Sequence, residues 1–465
     1  MVDVSTVGGR GSAAHGGPIQ AFFTKGRAPR PVIERASGIY MWDREGRRYI
    51  DASSGPVASN LGHGNARVLE AMRRQAERVA FAFPGVFESE ANRALADLVT
   101  GLAGPGLDRA FFVSGGSEAT EACVKLARQY AVVRGEASRW KVISLNPSYH
   151  GATLGALALS GDCQAAEIFG PLMTPMPKVP APLTYRVPEG QDAVGYAEVC
   201  ADALDEEIRR QGPETVLAFI MEPVGGLARG AAVAPDPYYG AVREICRRHG
   251  VLLIYDEVMS GAGRTGKFLA ADHWPEGRPD LVLLAKGIAA GYTPMGAVLA
   301  PDSMVETLAA AGGFNHGHTY FANPLSCAIG HAVVTEMLER DLISNAARMG
   351  ARLRARLDAI QARSAIIGDV RGKGLLMAFE IVADKATKAM LPLPLMAPYR
   401  LAELAMERGL LIYARRTSKG AFGDWLMIAP PLITTEAEID EIADLLSKSV
   451  NAYEAELSEA GALTG

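Results

Sequence analysis

Lys286 closes the apolar run Leu281-Val-Leu-Leu-Ala285 and is followed by Gly287 and Gly291. Lysine is almost never fully buried unless something pairs with it or uses it. A partly desolvated lysine amine is also a nucleophile toward carbonyl groups. A second loaded position lies upstream, in Ile254-Tyr-Asp-Glu-Val-Met-Ser260. An unpaired buried carboxylate would neutralise, so Asp256 needs a partner. Either it forms a structural salt bridge, with Arg264 the candidate, or it holds a proton on a heteroaromatic nitrogen. A third stretch is Phe111-Phe-Val-Ser-Gly-Gly-Ser117. Its glycines admit close approach of an anion, the helix start offers free N–H groups, and Ser117 adds a hydroxyl. Alone, that stretch reads equally as a plain strand-to-helix turn. Together, a phosphate cradle at Gly115, Gly116 and Ser117, a carboxylate and a lysine make a pyridoxal phosphate site. The lysine forms the Schiff base and the acid keeps the ring nitrogen protonated.

These residues need a frame that brings strand ends together. Short apolar runs at 110–113, 141–145, 216–221, 251–255, 281–285 and 296–299 are rich in Val, Ile and Leu, as strands buried on both faces are. Helical stretches alternate with them. The helix after Asp236-Pro237 is bounded by an expected Asp236 cap and by Gly250. The alternation predicts an α/β fold with a mostly parallel central sheet. In such sheets ligands bind outside the carboxyl ends of the strands, where Ser114 to Ser117, Glu222, Asp256 and Lys286 fall. A hairpin is expected over residues 38–51, and residues 1 to about 30 read as a loose polar arm. Long helices are expected over 328–340 and 436–456. The organisation follows as an N-terminal arm and part of a small domain (1–64), a large cofactor-binding α/β domain (65–330) and a C-terminal small α+β domain (331–465).

Composition narrows the class. The 465 residues are 49% hydrophobic and 21% charged, with a net charge of −5, which argues against a nucleic-acid binder. No run is long and apolar enough to span a bilayer. Five scattered cysteines without a Cys-x-x-Cys pair fit a reducing, cytoplasmic setting and argue against a zinc site.

With these residues in view the chain resembles the class III pyridoxal-phosphate-dependent aminotransferases, the group of ω-transaminases and ornithine- and 4-aminobutyrate-type enzymes. The motifs run in order: Asn60-Leu-Gly-His-Gly64, Ser114-Gly-Gly-Ser-Glu-Ala119, Ser148-Tyr-His-Gly151, Met221-Glu-Pro-Val224, Asp256-Glu-Val258, Ala285-Lys-Gly287, His316-Gly-His-Thr-Tyr320 and Ala429-Pro-Pro-Leu432. The resemblance implies a fold type I enzyme with pyridoxal 5′-phosphate as cofactor. It makes Lys286 the Schiff-base lysine and the base that moves the substrate's Cα proton. Asp256 is then the pyridine-nitrogen partner, with Val258 behind the ring and Tyr149 stacked on its other face. Gly115, Gly116 and Ser117 hold the phosphate, and Glu222 lies beside the ring substituents. Thr319 resembles the threonine that reaches the phosphate of the partner subunit's site, which implies a homodimer or a tetramer of such dimers. His316 and His318 fit this phosphate loop better than a metal pair.

The implied reaction carries an amino group from an amine or ω-amino acid to a 2-oxo acid such as pyruvate, through pyridoxamine phosphate. An aminomutase, racemase or decarboxylating transaminase of the same fold is the alternative. A phosphate-loop module of another class lacks support, since the Gly-Lys-Ser/Thr ending of a P-loop is missing. Departures from the family bear on substrate. Leu227 stands where 4-aminobutyrate-type enzymes carry the acid that pairs with a gating arginine. Pro56-Val57-Ala58 replaces a large aromatic, which predicts a roomier pocket lined by Val57 and, further along, Phe83. The acceptor carboxylate is assigned to Arg415 or Arg416. Neighbours on an extended segment point to opposite sides, so only one enters the pocket, and Arg416, nearer the glycine-containing loop, is preferred.

Overall fold

The computed structural model describes residues 30–463. The expected N-terminal arm lies almost wholly outside them. Fifteen strands are formed among the described residues: β1 Ile33–Ser37, β2 Tyr40–Asp43, β3 Arg48–Asp51, β4 Arg109–Val113, β5 Lys141–Asn146, β6 Lys178–Pro180, β7 Val216–Met221, β8 Leu252–Asp256, β9 Leu281–Ala285, β10 Gly296–Ala300, β11 Ile367–Lys373, β12 Leu376–Ile381, β13 Leu410–Leu411, β14 Tyr413–Arg415 and β15 Asp424–Ile428. They make three sheets. The central one has seven strands in the order β4-β10-β9-β8-β7-β5-β6.

The six runs read from the sequence as central strands are all strands. β7, β9 and β10 are buried at every position, as their unbroken apolar runs require. Each such Val, Leu or Ile contributes about 1.5–3 kcal/mol on burial. The sheet is parallel from β6 to β9, while β10 runs antiparallel to both β9 and β4. Residues 286–295 joining β9 to β10 are too few for a crossover helix, so the chain reverses directly. β6, a three-residue edge strand, is not among the expected strands; it contains Pro180, which edge strands tolerate.

The helix Gly116–Val133 packs across the sheet with Ala119, Ala122, Cys123, Leu126 and Ala127 against β9 and β10. The helix Pro237–His249 starts and stops where expected, and Gly250 closes it in the left-handed conformation at φ 64°. Asp236, however, makes no side-chain cap bond; its Oδ1 accepts from Trp274 Nε1 at 2.8 Å instead. The hairpin over 38–51 is present as β2 and β3, and β13 extends that sheet in parallel with β3. The third sheet, β11-β12-β15-β14, is flanked by the helix Leu342–Arg363 at β11 and β12 and by the helix Ala397–Glu407 at β14 and β15, and the helix Glu436–Glu459 packs against both helices. Among the described residues no helix is long and apolar enough to cross a membrane.

Candidate active site

The ends of β4, β5, β7, β8 and β9 face one cavity of about 520 Å³. β9 delivers Lys286. The backbone leaves the extended Ala285 (φ −162°) and enters the left-handed region at Lys286, φ 47°. A non-glycine residue pays for that conformation, which is commonest where function needs a side chain aimed off a strand. Gly287 follows because a Cβ there would stand 2.3 Å from Asn60 Nδ2. The Lys286 amine forms no hydrogen bond or ion pair with the described residues. Burial pushes its pKa down to about 8, while the nearby Asp256 and Glu222 charges pull the other way.

Asp256 ends β8 with 5% of its surface exposed. Its Oδ2 lies 2.8 Å from His150 Nδ1, and its Oδ1 accepts from Val258 N at 3.1 Å. An ionised carboxylate only accepts, so Nδ1 carries the proton in this pair. His150 is itself pinned: its N–H donates to Ser160 Oγ at 2.8 Å and its carbonyl accepts from Thr120 Oγ1 at 2.7 Å. The alternative partner, Arg264, is buried among neutral oxygens instead. It donates to Asn60 Oδ1 (2.7 Å), Ser54 Oγ (3.2 Å) and the carbonyls of Leu375 and Pro430. Burial lowers its pKa to about 9.

Glu222, just past β7, is also buried. Its Oε1 accepts from Gly226 N at 2.8 Å, and Arg229 Nε stands 3.5 Å from its Oε2. That Oε2 has no hydrogen-bond partner among the described residues. The turn after β4 opens into the helix Gly116–Val133, whose first internal bond is Ala119 N to Gly115 O at 3.0 Å. The N–H groups ahead of it are therefore left for another acceptor. A Cβ on Gly116 would crowd Val258 at 3.0 Å, whereas one on Gly115 would meet no protein atom within 4 Å. Ser117 Oγ accepts from Ala152 N at 2.9 Å, which ties the cradle to the Tyr149-His150-Gly151 turn.

A desolvated amine, a histidine-held carboxylate and a helix N-terminus thus share one cavity. The sequence profile described as "Aminotransferase class-III" matches residues 23–450. The chain belongs to the class III aminotransferases. It is 39% identical to the uncharacterized aminotransferase YodT of Bacillus subtilis, over 92% of this chain and 97% of that protein. It is 36% identical to a taurine–pyruvate aminotransferase of Rhodobacter capsulatus, over 91% of each. Among solved structures, the ω-transaminase of Pseudomonas jessenii in complex with PMP superposes with a TM-score of 0.85 at 29% identity, covering 91% of this chain and 92% of that one. The mixed α/β fold is that of the fold type I transaminases.

Within this aminotransferase, Lys286, Asp256, Tyr149, Gly115, Gly116, Ser117, Glu222 and Val258 all line the cavity. Three expected residues do not. Val57 is turned inward by φ 62° and buried in the core, so Pro56 and Ala58 line the cavity in its place. Phe83 lies at the surface, 46% exposed, edge-on to Phe321. Arg416 points away: its guanidinium grips Asp424 through two bonds of 2.8 and 2.6 Å, beside the Leu393 carbonyl at 2.9 Å. Arg415 is the arginine that lines the cavity, with its Cζ 5.2 Å from the Tyr149 ring centre. Thr319 sits in an exposed turn and is not among the lining residues. Leu227 lines the cavity as an apolar wall. Sequence reasoning missed His150 as the partner of Asp256, although it adjoins Tyr149 in a quoted motif. It also missed Met259 and Tyr413, which carry no signal beyond their neighbours.

Proposed function

We propose that this aminotransferase moves an amino group from an amine or ω-amino acid to a 2-oxo acid such as pyruvate, with pyridoxal phosphate held in the cavity. Class III aminotransferases are pyridoxal-phosphate-dependent, and the residues here fit that group. The helix N-terminus with Gly115, Gly116 and Ser117 would take the phosphate. Tyr149 and Val258 would flank the ring, Glu222 Oε2 would offer its unused acceptor, and Lys286 would anchor the carbonyl carbon. When bound, the cofactor supplies an electron sink for the pair left as a C–H bond beside the substrate nitrogen breaks.

The rest is the work of this chain's own groups. Asp256, oriented by His150 Nδ1 and Val258 N, would hold a proton on the ring nitrogen. Lys286 Nζ, with a pKa near 8, is unprotonated in a usable fraction at neutral pH. It would take the substrate's Cα proton and return it two atoms away, to the carbon on the far side of the substrate nitrogen. Val224, Leu227 and Met259 line the cavity and keep water from the reacting centre. Arg415 would meet the acceptor's carboxylate. The taurine–pyruvate relative names pyruvate as its acceptor, which supports that choice.

A homodimer is part of this reading. Phe81, Phe87 and Tyr320 are 45%, 63% and 63% exposed, and the Phe81 and Tyr320 rings lie 6.1 Å apart. A clustered exposed aromatic surface marks an interface, and Thr319 adjoins it, ready to serve the partner subunit's phosphate. The four described cysteines are buried free thiols, in keeping with a cytoplasmic protein.

The observation that carries the proposal is a Lys286 amine with no partner among the described residues, in one cavity with the Asp256–His150 pair. Replacing Lys286 with alanine tests it. Amino transfer from an amine donor to pyruvate should vanish, and the near-visible absorbance of the purified protein should change. Transfer at near wild-type rate would sink the assignment.

A further inference from the structure

We propose that Asp162 sets this aminotransferase's preference between substrates with and without a carboxylate by competing with them for Arg415. The proposal rests on the amino-transfer reading above. Arg415 is the arginine that lines the cavity, with 34% of its side chain exposed, and its Nη2 lies 3.1 Å from Asp162 Oδ2. Asp162 itself is only 8% exposed. The two are not equally fixed. Asp162 Oδ1 accepts from Gln164 N at 3.1 Å and caps the helix Cys163–Phe169, so the carboxylate stays in place whatever Arg415 does. The Arg415 backbone is held too, through β14 opposite Trp425, and its guanidinium lies over the Tyr149 ring, Cζ 5.2 Å from the ring centre, but the torsions of its long side chain offer other staggered rotamers.

The contact between them is a single N–O approach rather than the two-bond fork that guanidinium and carboxylate form when both are free to align. A substrate carboxylate entering the cavity offers that fork. With an amine lacking a carboxylate, the guanidinium stays on Asp162 and no unpaired charge faces the apolar tail. With a 2-oxo acid, the guanidinium leaves Asp162 for the substrate, and Asp162 keeps its helix N–H. The same pocket thereby accepts both tails, and every carboxylate substrate binds more weakly by the strength of the internal pair it displaces.

Asp162→Asn separates the two roles of this side chain. The amide oxygen still caps Gln164, while the charge that holds Arg415 is gone. Asp162→Ser also keeps a cap and is too short to reach Arg415. Steady-state transfer to pyruvate and to propanal should be compared in wild type and both variants. Calorimetry should follow the binding of propanoate, which cannot accept an amino group. The KM for pyruvate should fall about tenfold, the equivalent of ~1.4 kcal/mol, with propanal changed by less than about twofold. Propanoate should bind about tenfold tighter. An unchanged ratio of pyruvate to propanal in both variants, or weaker propanoate binding, overturns the role of Asp162 alone. A wild-type enzyme that transfers to neither acceptor overturns the amino-transfer reading and this inference with it.

Discussion

Lys286 should cost the cofactor-free protein stability, and the cost should depend on pH in a defined window. A lysine that protonates at about 8 rather than 10.5 is charged in the fold at a penalty of about 3 kcal/mol. Burial causes it; Asp256 and Glu222 offset part of it but do not cancel it. Below pH 8 both folded and unfolded chains carry the proton, and the full penalty applies. Between pH 8 and 10.5 the unfolded chain binds more protons than the folded one, so stability rises with pH. Above 10.5 the penalty is gone. Lys286→Met keeps the length and removes the charge. Cofactor-free Lys286→Met should therefore be more stable than wild type by about 3 kcal/mol at pH 7 and by about 2 kcal/mol at pH 9. The two should converge near pH 11. Urea denaturation of both proteins at the three pH values reads this directly, provided the slope with denaturant is shared. A variant no more stable at pH 7, or one whose advantage is the same at every pH, would show that Lys286 is not held as a desolvated amine.

Asp256→Asn should lower the rate of the amine half-reaction at least ~10²-fold, comparable to removing other electrostatic stabilisers; a loss of only about twofold would make Asp256 a structural residue. Ala58→Trp should depress transfer from bulky amines and spare small ones, whereas Val57→Trp should cost stability without changing the size preference, because Val57 faces the core; a donor panel and thermal melts separate the two. Arg415→Ala should weaken the half-reaction with a 2-oxo acid by about 1.5–3 kcal/mol and leave an aldehyde acceptor nearly untouched. Arg416→Ala should instead destabilise the fold by about 3 kcal/mol, since it strands the buried Asp424 carboxylate; selective loss of 2-oxo acid turnover in that variant would reverse the assignment.

What the sequence disclosed about this site follows from a simple contrast. Lys286 and Asp256 are legible because each is a charge placed at the end of an apolar run, and Gly115-Gly116-Ser117 because glycines interrupt one. Such anomalies are local, and the strands behind them announce themselves by unbroken Val, Ile and Leu. The direction of β10 is not local: only the shortness of the segment after β9 forces the reversal. The partners were harder still. His150 stands 106 residues from Asp256 in the chain, and Asp162 stands 253 from Arg415. Their pairing is made by the packing of separate elements, which no periodicity encodes. Val57 and Arg416 show a third limit. For Val57 a positive φ turns the middle of three consecutive side chains into the core and leaves Pro56 and Ala58 at the cavity. For Arg415 and Arg416 the alternation of an extended segment correctly demanded that only one face the cavity, but not which. Asp424 settles that choice, because it opens β15, the strand that pairs with β14, and offers Arg416 a two-bond ion pair in a buried setting. Arg416 is thus withdrawn by its structural partner, and the neighbouring arginine is left to serve the cavity.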